Sequence, residues 1–144
     1  MTRASYQYLK PNEPLPAGKL HCPYRAVLVV ESQVEPAWRR MVSEWLIRTG
    51  CLYMLAWGED CSLWDDAVDV ANLAAFAPEP IPDDRFVFTT WHDHETLDEV
   101  FWFAEHGAWH PDVDLEYTVL IHIAERPVGD EMLKAFQAAQ ASVD

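Results

Sequence analysis

Four short apolar runs alternate with segments of helical periodicity, and this alternation constrains the fold of the chain more than any other feature. AVLVVE (26–31) is almost continuously apolar and β-branched, as suits a strand covered on both faces. In the following EPAWRRMVSEWLIRTG, Trp38, Met41, Val42, Trp45 and Leu46 recur at three- and four-residue spacing, Pro36 fits the first helical turn and Gly50 the stop. CLYMLAW (51–57) is a second strand, and Leu63, Ala67, Val70, Ala71 and Ala74 then form a second helical stripe. RFVFTTW (85–91) is a third strand; Thr96, three residues before Glu99, opens a helix with a capping box and carries Leu97, Val100, Phe101 and Ala104 on one face. LEYTVLIHIAE (115–125) is a fourth strand and GDEMLKAFQAAQ a closing helix. The pattern predicts an α/β three-layer sandwich with a mostly parallel sheet of about four strands, in Rossmann-like or flavodoxin-like alternation.

Residues 1–24 hold Pro11, Pro14, Pro16 and Pro23 and read as an irregular N-terminal arm, leaving 25–144 as a single α/β domain. A domain of 144 residues can build a core without staples. The three cysteines (Cys22, Cys51, Cys61) are odd in number and lack CxxC spacing, so reduced thiols are expected rather than disulfides or a zinc knuckle. With no apolar run of membrane-spanning length and no signal-like N-terminus, a cytoplasmic location is expected.

Charge narrows the choice of partners. Asp and Glu number 24 against 10 Lys and Arg, a net −14, and the imbalance is uneven: residues 1–50 carry 7 bases and 4 acids, residues 51–144 carry 3 bases and 20 acids. Such a field repels nucleic-acid backbones and anionic membranes and steers a basic protein partner toward the C-terminal two-thirds. The same acidity would also keep a chain with seven Trp soluble. Exposed Trp would suit a homodimer interface.

In an open parallel sheet, ligands bind at the carboxyl ends of the strands. The predicted strands bring Glu31, then Gly58, Glu59, Asp60 and Cys61, then His92, Asp93 and His94, then His122 and Glu125 to that edge. Three kinds of chemistry are open there. A metal would use His92 and His94, two apart in a strand, with Asp60, Asp65 or Asp66 as oxygen ligands, and would activate water for hydrolysis. His-x-His is more often a satisfied turn, so no metal is assigned. A nucleophile reading places Cys61 at a helix N-terminus, with His92 as base and Glu31 as orienter, although the crowd of carboxylates beside Cys61 would raise its pKa. The third option is binding: Trp57, Glu59, Asp60, Trp64, Asp65, Asp66, Trp91, His92 and Asp93 mix indoles with carboxylates, a composition suited to cationic groups. Nucleotide cofactors are excluded, because the turn after the first strand, SQVEP, lacks the glycines that admit a pyrophosphate and no P-loop occurs. No cofactor is expected.

The segments YRAVLVVE, CLYMLAWGEDCSLWDD, TTWHDHE followed by VFWFA, and HP before the last strand resemble a small uncharacterised bacterial family. The resemblance runs from Tyr24 to about His122 and implies an intracellular α/β protein without implying a substrate. Together these features lead to a non-catalytic acidic binding protein, as a bacterial immunity or inhibitor protein would be. The alternative is a hydrolase-like enzyme using His92 with Asp60 and Asp65, or with Cys61.

Overall fold

The computed structural model of the protein describes residues 2–141. Among them, five strands form one sheet: β1 (Arg3–Leu9), β2 (Tyr24–Val30), β3 (Cys51–Gly58), β4 (Phe88–His92) and β5 (Tyr117–Ile123). The order is β1-β5-β2-β3-β4 and every pair is parallel. Helices α1 (Pro36–Thr49), α2 (Cys61–Phe76), α3 (Leu97–His106) and α4 (Asp130–Gln140) complete the sandwich. From β5 to β4 the order is that of a Rossmann-like sheet, with β3 and β4 on one side of β2 and β5 on the other.

One expectation is corrected at the N-terminus. The arm is not irregular throughout, because RASYQYL forms edge strand β1, in register with β5 from Arg3↔Tyr117 to Leu9↔Ile123. Its alternation explains this: Ala4 and Tyr6 pack toward one core while Arg3 and Ser5 stay exposed, and the prolines begin only after the strand ends.

The pleat divides the core in two. Ala26, Leu28, Val30, Val119, Ile121 and Ile123 face α1 and α2, whereas Val27, Val29 and Leu120 face α3 and α4. On the first side Trp38 of α1 and Trp64 of α2 meet edge to face at 6.4 Å. Trp64 is fully buried, and truncating such a residue to alanine costs about 3–5 kcal/mol. Helix ends follow the sequence signals. Pro36 opens α1, Gly50 closes it in the left-handed region (φ 100°), and the Thr96 side chain accepts a hydrogen bond from the Glu99 amide.

The stripe of α2 differs from expectation. Its buried positions are Cys61, Trp64, Asp65, Val68, Ala71 and Asn72, while Val70 and Leu73 are 63% and 62% exposed. The helix is rotated because two polar side chains point inward. The Asn72 carboxamide accepts from the Val87 amide at 2.9 Å and donates to the Arg85 carbonyl at 3.3 Å, tying the helix to the chain entering β4.

Candidate functional site

The direction of chain travel reverses between β2 and β5. The chain leaves β2 for α1 on one face of the sheet and leaves β5 for α4 on the other, and open sheets have their ligand crevice at such a point. Register places Tyr8, His122, Val29, Trp57 and His92 in one row across the sheet, near the carboxyl ends of the strands.

At the reversal point His122 bridges the two strands. Its ring is fully buried between Tyr6 and Tyr8, with centroids 5.7 and 6.2 Å away. Nε2 is hydrogen-bonded to the Glu31 carboxylate and Nδ1 lies 2.6 Å from the Tyr6 hydroxyl. The hydroxyl in turn accepts from the Val128 amide at 3.0 Å. With Tyr6 donating to Nδ1 and Nε2–H donating to the Glu31 carboxylate, every group in the chain has a partner. Glu31 itself remains half exposed and lines a cleft of about 380 Å³ with Val30, Trp57, Gly58, Glu59 and Asp60.

The cleft owes its shape to Gly58. With φ 101°, its Cα lies so close to β2 that an added Cβ would meet the Val30 carbonyl oxygen at 2.0 Å. The next amide, from Glu59, donates to that same oxygen at 2.8 Å. The resulting arrangement is a carboxylate fixed from behind by a buried imidazole and open in front. It can accept a hydrogen bond from a cationic N–H group or a proton from a bound ligand.

His92 belongs to a separate network. Its Nδ1 donates to the Glu95 carboxylate at 3.1 Å, its Nε2 pairs with the Thr90 hydroxyl at 2.8 Å, and its ring packs on Phe103. The Trp57 indole donates to the Glu95 carbonyl at 2.8 Å, so Glu95 holds both neighbours. Cys61 lies on the opposite face of the sheet, in the core under α1 and α2. The trio of Cys61, His92 and Glu31 therefore does not assemble: His92 is bonded elsewhere and Glu31 orients His122 instead. Burial, followed by the charge of Asp93, pushes the Cys61 thiol pKa up.

The pair His92 and His94 diverges as well. The strand ends at His92, His94 turns with φ 65°, and its side chain is 91% exposed whereas His92 is buried. Among the described residues, no three His, Cys, Asp or Glu side chains are grouped so as to hold a metal ion. Asp65 is buried in α2 with one carboxylate oxygen unpartnered, and burial, then the neighbouring charge of Asp69, raises its pKa to about 6. Of the expected binding residues, Trp64 is core, Asp66 is exposed on α2, Trp57, Glu59 and Asp60 line the cleft, and Asp93 and Trp91 are exposed at the end of β4. Tyr6 and His122 were not assigned as site residues. The available signal was one histidine inside the otherwise apolar run TVLIHIA.

A family model described as a domain of unknown function, DUF7684, matches residues 4–139. The chain belongs to this family. The DUF7684 match takes in β1 from its second residue and α4 up to its penultimate one. No curated protein and no solved structure matches the chain.

Proposed function

We propose that this DUF7684 member is an acidic, non-catalytic binding protein of the cytoplasm that engages a basic protein partner at the carboxyl edge of its sheet, as an immunity or inhibitor protein does. One observation carries the proposal. The connections after β2, β3 and β4, residues 31–35, 59–60 and 93–96, hold Glu31, Glu35, Glu59, Asp60, Asp93 and Glu95 and no Lys or Arg; the bases of this edge, Lys10, Lys19 and Arg126, lie in the connections after β1 and β5. The indoles of Trp57 and Trp91 stand among these carboxylates, and the Trp91 side chain is more than half exposed. Carboxylates supply long-range steering, and indole faces supply contact area and cation–π attraction.

Glu31 lies where a Rossmann-like sheet would receive a phosphate, so an anion there meets a fixed negative charge. This favours cationic groups over nucleotides. The reading includes no nucleic-acid or membrane partner; no helix among the described residues is long and apolar enough to cross a membrane. A homodimer would use a different surface, the exposed Val70 and Leu73 of α2.

The test is capture of partners from the native host at low ionic strength, with Glu59→Lys and Asp93→Lys as controls. Specific capture that weakens steeply with salt and is lost in both variants supports the proposal; salt-independent capture, or none, overturns it. A second reading, general-base catalysis as in a hydrolase-like enzyme, is favoured only by the chain Tyr6–His122–Glu31, with Glu31 accepting the proton.

A further inference from the structure

A second acidic feature lies away from the cleft, where the outer faces of α3 and α4 meet in a groove of about 800 Å³. One wall carries Asp98, Glu99 and Trp102 of α3, positions at three- and four-residue spacing that share a helical face, with Phe103 beside them and Glu95 in the turn just before the N-cap. The other wall is Ala135, Ala138 and Ala139. Three methyl groups opposite a row of long side chains leave the space between the helices open. No Lys or Arg lines the groove.

We propose that this groove docks a basic amphipathic α-helix, whose apolar stripe lies over the alanines and Phe103 and whose flanking Lys or Arg pair with Glu95, Asp98 and Glu99. The inference rests on the acidic binding role above and names a surface and a partner chemistry for it. Charge complementarity selects the sign of the occupant, since the groove offers three carboxylates and no base. Backbone hydrogen bonding selects its conformation. Neither wall offers an open sheet edge, so an extended peptide would find no main-chain partner, whereas a helix satisfies its own backbone. The alanines permit close approach of a helix axis. The ten residues of α3 span about 15 Å, roughly three turns of a partner.

The test titrates the full chain at low ionic strength with a dye-labelled synthetic helix of Leu and Lys, Leu at three- and four-residue spacing, and with a scrambled peptide of the same composition. Asp98→Lys and Ala138→Arg alter exposed groove positions, and retention of the wild-type melting temperature verifies their fold. Each is expected to weaken binding of the patterned peptide about tenfold or more, and scrambling is expected to weaken it to a similar extent. Undiminished binding in both groove variants overturns the groove. If Glu59→Lys and Asp93→Lys abolish binding in that case, the acidic role survives at the strand edge alone. Equal affinity for the scrambled peptide overturns the helical occupant, and absence of binding by either peptide to the wild type overturns the acidic role and the groove together.

Discussion

His122 of β5 hands an imidazole N–H to the carboxylate of Glu31, the first residue after β2, across the point where the order of the strands reverses. The same ring is held on its other nitrogen by Tyr6 from the edge strand, so three strands that are distant in sequence converge on one buried side chain.

Removal of that ring should therefore be felt throughout the β1-β5-β2 half of the sheet. His122→Ala leaves a cavity and two polar partners unmet, and is expected to destabilise the fold by about 2–4 kcal/mol. Tyr6→Phe, which keeps the ring and removes the hydroxyl, should cost about 1–3 kcal/mol because Nδ1 and the Val128 amide each lose a partner. Urea denaturation measures both, and a His122→Ala loss below that of Tyr6→Phe would contradict the bridging role.

Asp65 should place a signature on the pH dependence of stability. Its pKa rises on folding from 3.8 to about 6, chiefly through burial and then through Asp69, so the folded state holds the proton more tightly than the unfolded chain does. That contribution is fully present below 3.8 and is lost as pH rises through about 6. Asp65→Asn is thus expected to be more stable than wild type by about 1–2 kcal/mol near pH ~8 and indistinguishable from it near pH ~4. Melting curves at the two pH values decide, and a difference independent of pH would refute the assignment.

Gly58→Ala should be among the most damaging single-methyl substitutions in the chain. Positive φ and the approach to the Val30 carbonyl act together, and a loss of about 3 kcal/mol or more is expected. Gly18→Ala, where an added Cβ meets nothing within 4 Å, serves as the control and should be close to neutral. Similar midpoints for the two variants would count against the tight β2–β3 crossing.

Thiol chemistry should separate the three cysteines. Cys22 is exposed, whereas Cys51 and Cys61 are buried, with the Cys51 pKa pushed up to about 12 by burial and that of Cys61 raised by burial and Asp93. A disulfide reagent near neutral pH is expected to label one thiol quickly and the other two only after unfolding. Fast labelling of Cys61 in the folded protein would revive it as a nucleophile.

The sheet was largely legible in the sequence because its central strands are buried on both faces and announce themselves as apolar runs. β1 was not, although RASYQYL alternates correctly; a half-buried edge strand gives a weak signal and four prolines follow close behind. The rotation of α2 was hidden for a different reason. Asp65 and Asn72 look like surface residues until Asn72 is seen holding the backbone of Val87. That Glu31, Asp60, His92 and His122 lie toward one edge of the sheet was also legible, but not the pairing of Glu31. That depends on strand order: β5 lies directly beside β2, while β3 separates β2 from β4 and puts His92 two strands away, about 10 Å. Pleat parity then sends the Glu31 side chain to the face shared with Val29 and His122, away from Cys61.

Glu95 gives the acidic surface a property that neither half has alone. Its carboxylate is the partner of His92 and also part of the groove between α3 and α4, and its carbonyl anchors Trp57 beside the cleft. A cation seated in the groove would share with the imidazole a carboxylate whose Oε2 already accepts from His92. Occupancy of the groove and the hydrogen bonding of the strand edge are in this way thermodynamically linked through one side chain, and the linkage is reciprocal.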